Sequence, residues 1–116
     1  MTATKTIGAA KVSGEWIMLY AALTDGTAAE LTVKDVSGTL KSWNDNVAGK
    51  TLQAFWITVG TPSDLDKIQL LDENGGIVNE WIGCINAALG HVPQAEMSGL
   101  SIPIKKGYTF MVTTSD

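Results

Sequence analysis

Short hydrophobic segments alternate along the chain with turn-forming residues. The turns recur about every 8–14 residues, a spacing typical of antiparallel strands in a β-sandwich or barrel. Residues 51–59 (TLQAFWITV) are rich in β-branched and aromatic side chains and predict a central strand. Residues 15–23 (EWIMLYAAL) form a nearly continuous apolar run that favours a strand but leaves a helix open. The pattern predicts an all-β fold, a single antiparallel sandwich of about eight strands.

Two hairpins are predicted in the second half of the chain. In residues 67–82, an Asn-Gly pair at positions 74–75 favours the positive φ angles of a tight turn. In residues 101–114, the turn is expected at residues 105–107 (KKG). Pro103 lacks a backbone donor, so we expect the strand that contains it to lie at a sheet edge or to begin after it.

The length of 116 residues indicates one domain, residues 1–116, without a linker. At most one short helix is expected, at residues 84–89 (CINAAL). Residues 1–11 have two interpretations. They are either a frayed end followed by a first strand, or an extended N-terminal arm that adds a strand to a neighbouring molecule.

The charge balance excludes several classes of partner. Eight Lys, no Arg and twelve acidic residues give a net charge of −4. Arg is the residue that best pairs with phosphate and guanine, and the Lys are scattered, so we expect no nucleic-acid binding. No apolar run reaches the length of a membrane span, and the N-terminus lacks the pattern of a secretory signal. One Cys allows no internal disulfide.

Metal-binding patterns are weak. Asp64 and Asp66 form a D-x-D pair, and residues 44–46 read Asn-Asp-Asn, so either group of oxygens is a candidate for Ca²⁺. Both also occur in ordinary turns, and the full twelve-residue calcium loop is missing. One His and one Cys are too few for a structural zinc site. We expect no metal and no cofactor.

Catalytic patterns are equally weak. Glu15, Glu80 and Glu96 are candidates for the carboxylate pair of a glycosidase, but no spacing ties two of them together. A Glu beside a core residue of a strand normally faces solvent. Cys84 and His91 would form a nucleophilic dyad only if the fold brought them together. The sequence predicts that the protein is not an enzyme.

Four Trp in a domain of this size suggest a second use besides core packing. Trp16 and Trp56 lie in apolar strands and are expected in the core. Trp43 lies at a predicted strand–loop edge, and Trp81 lies on the return strand of the first hairpin. For each of these two taken singly, core packing is the favoured interpretation, and stacking on sugar rings or anchoring a protein interface is the alternative. The charged fraction of only 17% also indicates surface reserved for other proteins.

Residues 99–112 (GLSIPIKKGYTFMV) resemble the closing strands of small jelly-roll proteins. The Thr/Ala-rich start, acidic balance, size and near absence of Cys are similar to those of tailed-bacteriophage capsid decoration, or cement, proteins. The resemblance implies a jelly-roll-like sandwich that is made in the host cytoplasm and bound to the outer capsid surface. It implies that the protein clamps adjacent major capsid subunits, often as a homotrimer, and it transfers no active-site residue.

We therefore expect a virion structural protein whose partners are the major capsid protein and copies of itself. The interface candidates are Thr2, Thr4, Lys5, Ile7, Trp43, Trp81 and His91. The alternative is a carbohydrate-binding β-sandwich module for adhesion or receptor binding. In that alternative Trp43 or Trp81 would stack on a sugar, and the residues bonding its hydroxyls would be Asn44, Asp45 or Asn79.

Overall fold

The computed structural model describes residues 4–22, 28–58, 64–82 and 94–115. Within these ranges the elements are β1 (Thr4–Val12), β2 (Glu15–Ala22), β3 (Ala28–Glu30), β4 (Thr32–Lys34), β5 (Leu40–Ser42), α1 (Trp43–Val47), β6 (Thr51–Thr58), β7 (Asp64–Leu71), β8 (Ile77–Ile82), β9 (Gln94–Met97), β10 (Ile102–Pro103) and β11 (Thr109–Ser115). Every described strand pair is antiparallel. The prediction of an all-β antiparallel sandwich is confirmed, with eleven described strands, several of them only two or three residues long.

The strands form two sheets. The seven-stranded sheet has the order β10-β6-β1-β2-β4-β5, with β9 also paired to β6. The four-stranded sheet has the order β3-β11-β7-β8. The inward side chains of both sheets build one hydrophobic core, in which Phe55 of β6 lies 5.4 Å from Phe110 of β11 between ring centroids.

Strand β1 lies near the middle of the seven-stranded sheet, between β2 and β6. A register shift follows Thr6, and Gly8 then approaches β6 so closely that an added Cβ would lie 2.0 Å from the Trp56 carbonyl oxygen. Residues 4–11 are therefore part of this chain's own sheet, so the interpretation as an arm for a neighbouring molecule is wrong for them. Residues 1–3 lie outside the described part of the chain.

The hairpin at residues 67–82 is confirmed. Strands β7 and β8 pair, the Asp72 N–H donates to the Gly76 carbonyl at 2.8 Å, and Gly75 has a φ of 82°. Asp72 Oδ1 also accepts from the Asn74 and Gly76 N–H groups, which closes the turn. A run of alternating residues on each side of Asn-Gly was sufficient to predict it.

The second predicted hairpin is wrong. Strand β10 pairs with β6 of one sheet, whereas β11 pairs with β7 and β3 of the other. The turn at residues 105–107 therefore carries the chain from one sheet to the other. Pro103 lies in the short edge strand β10, as its missing donor requires.

The described helix is α1, at a position where the sequence predicts a strand–loop edge. The predicted helix at residues 84–89 lies outside the described residues. Asn44 of α1 is 8% exposed and fixes the turn between the sheets. Its Nδ2 donates to the Lys105 carbonyl at 2.9 Å, and the Gly107 N–H donates to its Oδ1 at 2.9 Å. The Asn44 side chain thus supplies the hydrogen-bond partners of one carbonyl and one N–H group of this turn.

Candidate functional site

The structure contradicts the sequence prediction for two of the four Trp. Trp16 and Trp56, expected in the core, are 56% and 39% exposed, whereas Trp43 is fully buried. Trp81 is half-buried against the core, with its ring centroid 4.9 Å from that of Phe55. In apolar strands such as β2 both faces carry hydrophobic residues, so alternation alone does not show which face points inward.

The exposed Trp lie on the outer face of the seven-stranded sheet. Ala9 of β1 is opposite Met18 of β2 on one side and Trp56 of β6 on the other. Trp16 and Ala54 lie on the same face, because both are opposite Lys11 of β1. We call Ala9, Trp16, Met18, Ala54 and Trp56 the aromatic face.

The aromatic face is largely apolar. Met18 is 48% exposed, close to the value for Trp16. Ala9 and Ala54 point outward but are only 4% and 8% exposed, because their larger neighbours cover them. Trp16, Met18 and Trp56 therefore form an apolar patch over the two alanines, and the half-buried Lys11 lies within this patch, between Trp16 and Ala54.

Charged side chains lie both within and beside the aromatic face. Lys11 is opposite both Trp16 and Ala54, and Glu96 of β9 is opposite Trp56. Farther along β2, the Lys34 Nζ lies 4.6 Å from the centroid of the Tyr20 ring, within the range of a cation–π interaction. A protein interface usually has an apolar centre and a polar rim. Glu96 fits such a rim, whereas Lys11 lies inside the patch.

The outer face of the four-stranded sheet is different. Lys67, Gln69 and Thr113 lie there beside the half-buried Met111. Gln69 Nε2 donates to Glu80 Oε1 at 2.7 Å across β7 and β8. No aromatic residue is among the described residues of this face. The two sheets therefore present one aromatic and one mixed polar surface.

The predicted interface residues do not form one site. Ile7 is 2% exposed and Trp43 is fully buried, so the prediction that these two side chains contact a partner is wrong for the folded chain. Thr4 and Lys5 belong to β1, where their backbones pair with Ala22 and Ala21. Thr2 and His91 lie outside the described residues. Trp81 alone keeps part of its side chain at the surface.

The predicted sugar site around Trp43 is also not formed. Both the indole of Trp43 and the amide of Asn44 are buried, and the amide is already bonded to the turn at residues 105–107. Asp45 is exposed on the opposite side of α1, and Asn79 is half-buried. The missed candidates were Trp16 and Trp56, whose only signal was an apolar strand with no polar face.

The described carboxylates are dispersed. Glu15 and Glu96 lie on strands of the seven-stranded sheet, whereas Glu80 lies on the four-stranded sheet and accepts a hydrogen bond from Gln69. Asp66 is exposed, and the Asp64 side chain and Cys84 lie outside what is described. Across the described ranges, no three His, Cys, Asp or Glu side chains are close enough to hold a metal ion. Nor does that part of the chain contain a helix able to span a membrane.

The turn between β4 and β5 has one electrostatic feature. Asp35 Oδ1 accepts from the Ser37 Oγ at 2.7 Å and from the Ser37 and Thr39 N–H groups at 2.9 Å. These bonds, the Ser37 hydroxyl foremost, lower the pKa of Asp35. The bonded carboxylate fixes the turn and holds Val36 fully exposed at its tip.

Comparison of the chain with protein-family models, curated proteins and solved structures gave no match. The functional assignment therefore depends on the chain's own geometry.

Proposed function

We propose that the protein is a non-enzymatic virion structural protein that binds the outer surface of a capsid and stabilises contacts between major capsid subunits. The observation that carries this proposal is the aromatic face, with Trp16, Met18 and Trp56 exposed on one side of the sandwich. Trp and Met are enriched at the centres of protein interfaces, where a few such residues dominate the binding energy.

The size of the aromatic face supports docking on a partner. Its three exposed side chains present roughly 300 Å² together, since a whole aromatic side chain has about 150–250 Å². A standard interface buries about 800 Å² on each partner. The aromatic face therefore supplies the apolar part of such an interface, with Glu96 beside Trp56 where a polar rim would lie and Lys11 inside the patch.

The composition supports the outer side of the shell. A chain with net charge −4 and no Arg is poorly suited to contact packaged nucleic acid. With the aromatic face against the capsid, the mixed polar face of the four-stranded sheet points to solvent. Copies bound across the boundary between capsid subunits add interface area, and this area opposes separation of the subunits.

Co-sedimentation tests the proposal directly. Empty capsids assembled from the major capsid protein encoded in the same genome are mixed with the chain and pelleted. Saturable binding is expected, and Trp16→Ala or Trp56→Ala should weaken it at least 30-fold, the equivalent of about 2 kcal/mol for a hot-spot residue. The matched control is Val36→Ala, which truncates a fully exposed apolar residue at the tip of the β4–β5 turn.

Absence of binding would refute the proposal, as would a genome without a capsid gene. Equal losses for the Trp variants and for Val36→Ala would show that the aromatic face is not the binding surface.

The exposure of two Trp on one face also supports a second candidate, carbohydrate binding. Trp16 and Trp56 lie two strands apart and two positions along the sheet, which places their Cα atoms about 12 Å apart. Both indoles are accessible for stacking on the rings of a sugar chain. Titration with linear oligosaccharides should then shift the Trp fluorescence of the wild type, and a shift retained in the Trp16→Ala, Trp56→Ala double variant would exclude this site.

A further inference from the structure

Strand β8 is an open sheet edge. It closes one side of the four-stranded sheet and, among the described strands, pairs only with β7. With six residues it is about 20 Å long, and its second side presents backbone N–H and C=O groups along that length. An unpaired edge of this kind is a template for another strand.

The other described edges are shorter or interrupted. Strands β3 and β5 have three residues each, and β5 carries Lys41. On the remaining edge, β9 has four residues, and β10 beyond it has two and contains Pro103. Short strands, Lys and Pro are the common devices that prevent edge pairing. Strand β8 contains neither Lys nor Pro and is the longest of the described edges.

The side chains of β8 also favour pairing with a further strand. Ile77 is 60% exposed, and Trp81 packs on the core with only part of its indole buried. Glu80 is the single charged residue of the strand, and its carboxylate already accepts a bond from Gln69 of β7. Little charge would therefore have to be desolvated when a second strand covers this edge.

We propose that β8 pairs antiparallel with β8 of a second copy of this chain, about a two-fold axis. An antiparallel pair is symmetric about such an axis, so the backbone of an edge strand is complementary to that of its own copy. The two four-stranded sheets then form one continuous eight-stranded sheet. If the pairing is centred on Asn79 or on Trp81, Glu80 does not lie opposite Glu80 of the second copy. Two like charges directly opposite each other would destabilise the strand pair.

This inference does not depend on the proposed capsid role. The edge of the four-stranded sheet and the aromatic face of the other sheet involve different residues, so a dimer keeps both aromatic faces accessible. The inferred assembly is a dimer, whereas the resemblance to decoration proteins implies a trimer. The two stoichiometries can be separated by mass.

Sedimentation equilibrium over about 1–200 µM protein tests the pairing, in a range where weak dimers dissociate measurably. We expect a species of about 25 kDa, twice the chain mass of 12.3 kDa. Ile77→Lys places a charge on the edge and should raise the dissociation constant at least about tenfold. Val36→Lys makes the same charge change at the exposed β4–β5 turn and should leave it unchanged.

Amide hydrogen exchange locates the contact. Exchange in β8 should slow as the protein concentration rises, whereas exchange in β3, the opposite edge of the same sheet, should not. Three results would overturn the proposal: a monomer at about 200 µM, a trimer, or a dimer whose dissociation constant is unchanged by Ile77→Lys. The last result counts only if the variant keeps wild-type stability. If the protein is a monomer that still binds capsids, only the proposed β8 pairing is excluded. If it is a dimer that fails to bind capsids, only the proposed capsid role is excluded.

Discussion

Asn44 offers the sharpest test of how the two sheets are joined. Its side chain is 8% exposed and makes two hydrogen bonds to the turn at residues 105–107, one to the Lys105 carbonyl and one from the Gly107 N–H. Asn44→Ala removes both bonds and leaves the rest of α1 in place. The turn residues themselves are exposed, so water can partly replace the lost partners.

The expected loss follows from these two bonds. Each net contribution is about 0.5–1.5 kcal/mol, and the partial access of water limits the additional cost of the unpaired groups. We expect Asn44→Ala to lower the free energy of unfolding by about 2 kcal/mol, or roughly 6–10 °C in the melting temperature for a domain of this size.

Urea unfolding followed by Trp fluorescence measures this difference. The matched control is Asn46→Ala, which removes an exposed amide two residues along the same helix and should change the free energy of unfolding by less than about 0.5 kcal/mol. If Asn44→Ala changed the free energy of unfolding no more than the control does, the amide would not hold the two sheets together.

Asn44→Asp separates the two bonds. The Gly107 N–H keeps an acceptor, but the Lys105 carbonyl loses its donor and faces a carboxylate. The folded state should therefore raise the pKa of this introduced carboxyl. Its destabilisation is then complete above the raised pKa and is lost as the pH falls below it, because the neutral acid can donate to Lys105. Stability curves against pH that remain parallel to the wild type would contradict this account.

Gly8→Ala should lower the free energy of unfolding by more than about 3 kcal/mol or prevent folding, because the new Cβ would lie 2.0 Å from the Trp56 carbonyl oxygen. Thermal denaturation measures the loss of stability, and a near-neutral effect would contradict the close approach of Gly8 to Trp56. Trp43 Nε1 is buried without an acceptor among the described residues. Trp43→Phe should therefore lower the free energy of unfolding, measured in urea, by only about 1–2 kcal/mol, whereas Trp43→Ala should lower it by about 3–5 kcal/mol. Equal losses for the two variants would indicate that the indole N–H has a hydrogen-bond partner. The lowered pKa of Asp35 predicts a contribution to folding stability that is present at neutral pH and lost as the pH falls through the folded-state pKa. Asp35→Asn should remove this part of the acid sensitivity. A pH dependence of stability identical to that of the wild type would contradict this prediction.

Local patterns predicted the local structure. The β7–β8 hairpin follows from an Asn-Gly pair between alternating strands, and both the turn and the pairing lie within sixteen consecutive residues. The turn at residues 105–107 also gave a turn signal, but the strands on either side belong to different sheets. A turn signal shows where the chain reverses, and packing of distant side chains decides which strands then pair.

The candidate site was missed for a related reason. Strand β2 carries Trp16 and Met18 outward and Leu19 inward, so its sequence contains no polar face to mark the outside. The orientation follows from the neighbouring strand, where Lys11 is opposite Trp16 and therefore fixes the outer face. Such cross-strand information enters only with the register, and no local sequence pattern contains it.

The central position of β1 has a consequence for how the chain folds during synthesis. Strand β1 precedes the other described strands, yet its neighbour β6 is complete only at Thr58. Until then the β1–β2 hairpin leaves the ribosome with one side unpaired, including the segment around Gly8. Strand pairings between distant parts of a chain form slowly, within milliseconds to seconds in β-rich domains. Strand β1 is thus enclosed only after about half of these 116 residues have been made, and truncation within it would impair folding rather than shorten a surface arm.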